Sequence, residues 1–312
     1  MGAIAWLRAV VKSLVWWPVF LALRCSSRQA GLILLYHDVG DRDGDADAEL
    51  VPPISQGRFA RQIAHLRRLY RVVELQELQA ATASRRRWQP FPVAITFDDD
   101  LGHHVTRALP VLREAGVPAT FFLCGSFLDE PRDFWWQRLQ RAVDNGADIG
   151  HLVGSGTIHV QGQLMEGLSP AQRDAAAESI GSLAVPVPES ELLTAEGARQ
   201  LPHIGFHTLR HDPLTQLDDE QLDIALSEGR QGLAEIAGHP VDTIAYPHGQ
   251  FDARVLQAVR DQKFSIGVTS EQQAVTPYAD PLALGRYVPS VDASTGEFAF
   301  GLVYTLLLSP PQ

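Results

Sequence analysis

Short apolar runs alternate with longer segments of helical period along the chain from Gly31 onward. Runs rich in β-branched and aromatic residues predict strands at 32–37, 70–75, 93–97, 119–124, 203–207, 243–247, 264–269 and 284–289. The helical spacing of apolar residues predicts helices at about 56–69, 104–115, 134–145, 169–183, 218–237 and 252–262. Because the strands are apolar throughout, they are expected to pair in parallel and to be buried on both faces. The pattern predicts an α/β fold, a distorted or incomplete (β/α)7-type barrel with parallel strands.

The same pattern divides the chain into three parts. Residues 1–30 form an apolar N-terminal segment, residues 31–292 carry the strand and helix units, and residues 293–312 form an apolar C-terminal helix and tail. Within the central part, the stretch at about 145–201 combines a Gly-rich run, a polar helix and "AVPVPES". This composition is typical of an insertion between two barrel units.

The N-terminal segment has two open interpretations. Arg8 and Lys12 interrupt its apolar run, and Pro18 is expected to break the helix. The longest charge-free run, Ser13–Leu23, is too short to span a bilayer. One interpretation is an in-plane membrane anchor with the tryptophans at 6, 16 and 17 at the interface; the other is a helix that caps the domain. The anchor predicts a peripheral membrane contact and a location at the cell envelope or another membrane, on a side that the sequence leaves open. The cap is compatible with a cytoplasmic protein.

The charge balance and the cysteine content exclude some kinds of partner and site. The chain has 26 basic and 37 acidic residues, a net charge of -11 and a pI near 5.4, so nucleic acid is not an expected partner. With only Cys25 and Cys124, the sequence indicates neither a disulfide framework nor a thiolate metal site. Cys124, in an apolar run, is expected to be a buried free thiol. The sequence does not determine the oligomeric state.

Polar side chains follow several of the predicted strands at the point where each strand ends. His37 and Asp38 follow the first strand, "DDD" at 98–100 follows "VAITF", His207 and His211 lie in "GFHTLRHDP", and "YPHG" at 246–249 follows "TIA". In a parallel β/α architecture these ends meet at one edge, where functional groups gather. Carboxylates and imidazoles together are ligands that zinc or a similar divalent ion accepts. The strand ends therefore predict a metal site with nitrogen and oxygen ligands.

These strand ends carry a family resemblance that extends from about Leu32 to Pro289 outside the insertion. "AITFDDD" resembles the T-F-D-D-G motif of the NodB-homology polysaccharide deacetylases, carbohydrate esterase family 4. "GFHTLRHDPLTQL" is similar to the H-[ST]-x-x-H motif, and "IAYPHGQFD" to the Y-P-[YF]-G motif. The opening "LLYHDV" is similar to the first strand of the circularly permuted branch, which includes the deacetylases of poly-N-acetylglucosamine.

The resemblance implies a role for each matching residue. It implies that Asp98 is the general base, that Asp99, His207 and His211 are the metal ligands, and that His37 is the general acid. The implied cofactor is a divalent metal, with zinc favoured and cobalt, nickel or manganese as alternatives.

The implied substrate is an N-acetylated glycan. In the implied reaction, Asp98 accepts a proton from the attacking water, and His37 protonates the departing amine. The metal and the backbone N–H of Tyr246 stabilise the oxyanion. Acetate and a free amino sugar are the products.

Three departures from the family motifs lead to separate expectations. Asp100 replaces a Gly, where a third carboxylate would tighten the metal site or raise the pKa of Asp98, and where the backbone is expected to be left-handed. Ala245 replaces an Arg, which leaves Arg286 as the candidate for orienting Asp98. His248 replaces Tyr or Phe, so it either touches the substrate or fills space.

Other conspicuous residues have more ordinary interpretations. His103 and His104 are expected to be helix-start or solvent-facing residues rather than ligands. The acidic run 41–49 is expected to be a solvated loop near the cleft rather than a calcium site, because its Gly is misplaced for an EF-hand. "FWW" at 134–136 suits either a sugar-stacking platform or core packing.

Two hypotheses of different class follow. The favoured one is a metal-dependent N-deacetylase acting on a polysaccharide or a glycan precursor. The alternative is a non-catalytic glycan-binding or polysaccharide-assembly protein on the same fold.

Overall fold

A parallel sheet of seven strands forms the centre of the molecule in the computed structural model, which describes residues 15–126 and 131–308. The strands, in chain order, are β1 (Leu32–Tyr36), β2 (Val39–Gly40), β3 (Ile54–Ser55), β4 (Arg71–Val72), β5 (Pro92–Asp98), β6 (Thr120–Leu123), β7 (His203–Phe206), β8 (Thr243–Ala245) and β9 (Ile266–Val268). The central sheet has the order β1-β5-β6-β7-β8-β9 with β4 beside β5, and β2 pairs with β3 separately. Every residue of β1 and β5 is buried, which confirms the expected burial on both faces.

The segment that follows β9 closes the curled sheet between its two edge strands. Thr269 N–H donates to the Leu284 carbonyl beside β9, whereas Tyr287 N–H donates to the Ile33 carbonyl of β1. Because the segment changes partner within three residues, it forms isolated bridges and not the strand predicted at 284–289. The result is an incomplete (β/α) barrel, as the sequence predicted.

Helices surround the sheet on its outer side. Residues 15–24 are helical (α1), and the others within the described residues are α2 (Gln56–Leu69), α3 (Leu78–Ser84), α4 (Leu109–Ala115), α5 (Trp135–Asp144), α6 (Gly150–Val153), α7 (Ile158–Glu166), α8 (Pro170–Gly181), α9 (Ala195–Ala198), α10 (Asp219–Ser227), α11 (Arg230–Ala237), α12 (Ala253–Asp261) and α13 (Thr295–Leu307). The predicted helix at 104–115 begins with a π-helical turn, His104–Ala108, before α4.

The predicted helix at 218–237 is two helices, α10 and α11, separated at Gly229. Gly229 has a φ of +75°, and a Cβ there would lie 2.6 Å from the Cα of Gly125. The break therefore lets two backbone segments approach where no side chain fits.

The segment at about 145–201, which the sequence predicts to be an insertion, folds around an apolar cluster that it shares with α5. Its helices α6 to α9 include α7, which the Gly-rich sequence did not predict, and Thr157 caps α7 by accepting from the N–H of Val160. The cluster joins the insertion to α5 through Leu139, Ile149, Met165 and Ile180. The insertion is thereby fixed beside the strand ends that carry the site.

Both chain ends pack on the barrel where they are described. Phe20 of α1 is fully buried, and its ring centroid lies 5.3 Å from that of Tyr70. The helix continues through Pro18, which corrects the expectation that Pro18 breaks it. Phe298 and Leu302 of α13 are buried in the same core.

Parts of the predicted end segments fall beyond the described ranges. Trp6, Arg8 and Lys12 of the predicted anchor lie outside the described residues, as do residues 309–312. Across 15–126 and 131–308, none of the helices combines the length and the apolar character required to cross a bilayer.

Candidate metal centre and active site

The carboxyl ends of the strands bring the predicted site residues to one cavity of about 480 Å³. Its wall includes His37 after β1, Asp98 and Asp99 after β5, His207 and His211 after β7, Tyr246 and His248 after β8, and Arg286 of the closing segment. Residues that lie more than 200 positions apart in sequence therefore share one cavity.

Asp99, His207 and His211 form a group suited to a divalent cation. The Nε2 atoms of both histidines lie 3.6 Å from Oδ1 of Asp99, and all three side chains are buried. Asp99 Oδ1 has no hydrogen-bond partner among the described residues. Burial and the neighbouring Asp98 and Asp100 carboxylates raise the pKa of Asp99 well above its usual range. A cation at this position would satisfy the orphaned oxygen and offset the cost of a buried charge, so the residues fit the implied metal.

The His207 imidazole presents a free Nε2 lone pair to this position. His207 Nδ1 lies 2.9 Å from the carbonyl oxygen of Ala245, so Nδ1 carries the hydrogen and donates. Burial lowers the pKa of His207 and, more strongly, that of His211. Both rings are therefore neutral and able to act as ligands.

Left-handed backbone in "HTLRH" brings the two rings together. Thr208 and His211 have φ values of +66° and +62°, and the Thr208 hydroxyl accepts the N–H of His211 at 3.1 Å. The His207 and His211 ring centroids are consequently 4.6 Å apart. Phe134 and Trp136 pack against His211, so these two aromatic residues serve core packing, while Trp135 and Trp136 line the cavity.

Asp98 forms a bidentate ion pair with Arg286. Nη1 and Nη2 of Arg286 each donate to one carboxylate oxygen of Asp98 at 2.7 Å, and Arg286 Nε donates to the Thr269 carbonyl. Burial favours the neutral acid, but the guanidinium charge outweighs it and lowers the pKa of Asp98 to about 2. The expectation that Arg286 orients Asp98 is confirmed.

His104 begins the helix, as expected, but it is buried beside the site and does not face solvent. Its Nε2 lies 3.1 and 2.8 Å from the carbonyl oxygens of Asp98 and Asp99. It therefore holds the backbone of Asp98 and Asp99, and it is not part of the Asp99, His207 and His211 group. His103 Nδ1 lies 2.7 Å from Oδ1 of Asp38. The sequence signal for the role of His104 was its position a few residues after the Asp run.

Asp100 points away from the metal group. Its carboxylate accepts the N–H of Cys124 at 3.0 Å, and burial raises its pKa to about 7. The Asp100 charge contributes to the raised pKa of Asp99, whereas the pKa of Asp98 is lowered. The left-handed residue is Asp99, with a φ of +76°. The expectations of a tighter metal site, a raised Asp98 pKa and a left-handed Asp100 are corrected. Cys124 is a buried free thiol, as expected.

The backbone N–H of Tyr246 is already used within the sheet. It donates to the Val268 carbonyl at 3.1 Å, next to the register pair Ala245 and Val268. The oxyanion role assigned to this N–H is therefore corrected, since an N–H engaged in strand pairing is not free for a ligand. The Tyr246 hydroxyl donates to the Leu282 carbonyl.

His248 and His37 complete the cavity wall. The His248 ring lies 4.9 Å from that of His211, and its Nδ1 is 3.5 Å from a carboxylate oxygen of Glu166. Glu166, from α7 of the insertion, is a cavity residue that the sequence did not indicate. Burial lowers the pKa of His37 and of His248 to about 4, so both rings are neutral at pH 7.

Two residues of the acidic run at 41–49 form ion pairs with arginines. Asp43 pairs with Arg58 at 2.7 Å, and Asp41 pairs with Arg107 at 2.8 Å. The Arg58 ion pair holds the pKa of Asp43 well below its usual range. Among the described residues, the run contributes to no candidate metal group.

The site lies at the mouth of an incomplete parallel barrel. It combines a buried carboxylate and two neutral imidazoles with a second, ionised carboxylate, and this combination is that of a hydrolase site. The polysaccharide deacetylase family model matches residues 86–152 and 156–267. The chain belongs to this family. The matched ranges contain Asp98, Asp99, the two histidines of "HTLRH" and the Y-P-H-G segment, whereas His37 and Arg286 are placed by the structure alone.

Solved structures of deacetylases have the same fold. The Streptococcus pyogenes deacetylase PplD in complex with acetate is 15% identical, with a TM-score of 0.61, over 89% of this chain and 98% of that chain. IcaB from Ammonifex degensii is 20% identical, with a TM-score of 0.55, over 87% and 97%. The de-N-acetylase from Aggregatibacter actinomycetemcomitans is 15% identical, with a TM-score of 0.57, over 87% and 99%. No curated protein matches the chain.

Proposed function

We propose that this protein is a metal-dependent N-deacetylase that removes acetyl groups from N-acetylated amino sugars of a polysaccharide or glycan precursor. The observation that carries the proposal is the Asp99, His207 and His211 group beside the Asp98–Arg286 pair in a single cavity. Family membership and the names of the similar solved structures support the same reaction.

Asp99, His207 and His211 would hold the metal, with zinc favoured over cobalt, nickel and manganese. When bound, a divalent ion supplies Lewis acidity, which activates water and polarises the amide carbonyl. The chain's residues supply the remaining functions. Asp98, kept ionised and oriented by Arg286, accepts the proton of the attacking water.

His37 and a backbone N–H complete the proposed reaction. His37 is neutral in the resting site, so the proton that it delivers to the amine nitrogen is the one that Asp98 has taken from the attacking water. His248 lines the cavity with a φ of +56°, and its backbone N–H forms no turn or loop hydrogen bond to a carbonyl of the described residues. It replaces the N–H of Tyr246 as the candidate donor to the oxyanion.

Metal content and acetate release test the proposal together. The purified chain is expected to bind about one divalent ion per molecule and to release acetate from N-acetylglucosamine oligomers. Asp98→Asn should retain the metal and lose turnover, whereas His207→Ala should lose both. A protein that binds such oligomers but contains no metal and releases no acetate from any N-acetylated glycan would be a glycan-binding protein instead. Full activity of Asp98→Asn would show that another group is the base.

A further inference from the structure

Three segments that are distant in sequence meet on the outside of the barrel. Trp88 N–H donates to the Arg24 carbonyl at 2.8 Å, and Arg87 Nε donates to the Cys25 carbonyl at 2.7 Å. Arg28 donates to the Leu307 carbonyl at the end of α13. These bonds join α1, the loop 84–89 and the last turn of α13 into one surface.

The last turn of α2 borders the same surface. Phe20 of α1 packs on Tyr70, and Trp16 packs edge-on against His65 at 5.5 Å. The same His65 ring lies 5.7 Å from Phe298 of α13. The two terminal helices are therefore held side by side on α2.

This surface exposes an unusual share of the large apolar side chains. Seven of the fourteen that are exposed in residues 15–126 and 131–308 lie on it, with exposed fractions between 39% and 60%. They are Val15, Trp17, Leu21, Trp88, Tyr304, Leu307 and Leu308. Apolar side chains concentrated in this way on a protein surface indicate a docking site.

The charge around these residues is opposite to that of the whole protein. The chain has a net charge of -11, yet residues 1–37, 50–73 and 78–97 contain no Asp or Glu, and residues 293–312 contain only Glu297. Exposed arginines of α2, of β4 and of the loop that contains Trp88 add positive charge here; they are Arg67, Arg68, Arg71, Arg86 and Arg87. We call this surface, with the seven apolar residues above, the basic–aromatic surface.

We propose that the basic–aromatic surface docks on a bilayer that contains anionic phospholipids. Exposed tryptophans suit the interfacial region of a bilayer, and arginines are attracted to anionic head groups. A second copy of the chain that docked through the same surface would present the same positive charge and be repelled. The fourteen residues before α1 continue the composition, with Trp6, Arg8, Lys12 and no acidic residue.

Docking in this way leaves the cavity open. The surface borders the amino-terminal ends of β4 and β5, where Arg71 N–H donates to the Phe91 carbonyl. Asp98 lies at the opposite, carboxyl end of β5. The bound protein would hold its site turned away from the lipid, toward a glycan in the adjoining aqueous space.

Vesicle sedimentation with the full chain tests the inference. The protein is expected to sediment with phosphatidylglycerol–phosphatidylcholine vesicles, less so as salt rises, and to remain in solution with phosphatidylcholine alone. Arg86→Glu should weaken binding at least about five-fold, from the contribution of one arginine near an anionic surface. Trp88→Asn should also weaken it, since Asn tolerates the left-handed backbone at this position.

Two control variants lie outside the basic–aromatic surface. Arg199→Glu makes the same charge change in the insertion, and Ile224→Ser removes an exposed apolar side chain of α10; both should bind as the unaltered protein does. Lack of sedimentation with anionic vesicles, or equal losses in the controls, would overturn the inference. So would a dimer in sedimentation velocity that Arg86→Glu and Trp88→Asn convert to monomer without any vesicle binding. Acetate release from soluble oligomers should be unchanged in all four variants, which separates this inference from the proposed activity.

Discussion

At the scale of single residues, the contact between Asp98 and Arg286 determines the state of the proposed base. The guanidinium fork engages both carboxylate oxygens, so it both orients the side chain and keeps it ionised. Arg286 is itself only 1% exposed, and its Nε is held by the Thr269 carbonyl. Arg286 is therefore held by Asp98 at one end of its guanidinium group and by the Thr269 carbonyl at the other, and the ion pair is shielded from water.

Replacing Arg286 should affect catalysis more than metal binding. Arg286→Lys keeps a positive charge but cannot form the fork, and we expect kcat to fall about 10²-fold with the metal retained. Arg286→Met leaves a buried carboxylate unpaired and should cost about 3–5 kcal/mol in the free energy of unfolding. Steady-state kinetics, metal analysis and denaturant titration measure these effects. Unchanged kcat in Arg286→Lys would contradict an orienting role.

A matched pair of variants tests the assignment of the neighbouring carboxylates. Asp100→Asn retains an oxygen that can accept the Cys124 N–H, so it should bind metal as the unaltered protein does. Asp99→Asn removes the charge from the orphaned oxygen at the metal position and should lower the metal affinity at least about ten-fold. Equal metal loss in the two variants would mean that Asp100 is also a ligand.

The residues of the site were predictable to different degrees for physical reasons. Side chains at strand ends, such as Asp99 and His207, follow from the motifs because a strand end fixes their direction. The motifs did not reveal that the N–H of Tyr246 is already hydrogen-bonded, because this depends on how β8 pairs with β9. The contact of Asp100 with the Cys124 N–H likewise depends on the neighbouring strand β6, which no single motif contains.

At the scale of elements, continuous apolar runs located the barrel strands, but periodicity did not determine where pairing stops. The predicted strand at 70–75 is reduced to Arg71–Val72, and the one at 284–289 divides its bonds between two partners. The helical pattern at 218–237 could not reveal the break at Gly229, which arises from close contact with Gly125. In each case a tertiary contact overrode a local preference.

The packing of α1 and α13 on α2 predicts acid sensitivity. Burial lowers the pKa of His65 to about 4, from 6.5, because its ring lies under Trp16 and Phe298. Between these pH values the unfolded chain binds a proton that the folded chain does not. The contribution of His65 to stability is therefore complete above pH 6.5 and is lost as the pH falls toward 4.

Thermal unfolding from pH 7.5 to 4.5 measures this contribution. His65→Phe, which keeps an aromatic ring among the same neighbours, should flatten the fall in Tm across that range. The other buried histidines titrate in the same window, so part of the dependence should persist. An identical pH dependence in both proteins would contradict a buried, neutral His65.

At the scale of the whole molecule, the barrel, the insertion and the closing segment all contribute to one cavity. The barrel strands supply the metal group and the base, α7 of the insertion supplies Glu166, and the closing segment supplies Arg286. Unfolding separates all of these groups, so a metal that requires them together binds only the folded chain. Metal occupancy and global stability should therefore be coupled.

This coupling predicts that metal removal lowers both activity and stability. At a free zinc concentration of about 1,000 times Kd, binding to the folded chain adds ~4 kcal/mol to the free energy of unfolding. For a chain of this size that corresponds to a rise in Tm on the order of 8 °C. Differential scanning fluorimetry with chelator and then with added zinc measures the shift, with acetate release followed in parallel. A ten-fold loss of affinity leaves Asp99→Asn with at most ~2.7 kcal/mol of this gain at the same zinc concentration, whereas Asp100→Asn should keep all of it. A full shift in Asp99→Asn would place the metal outside the Asp99, His207 and His211 group, because only that variant alters the group's carboxylate.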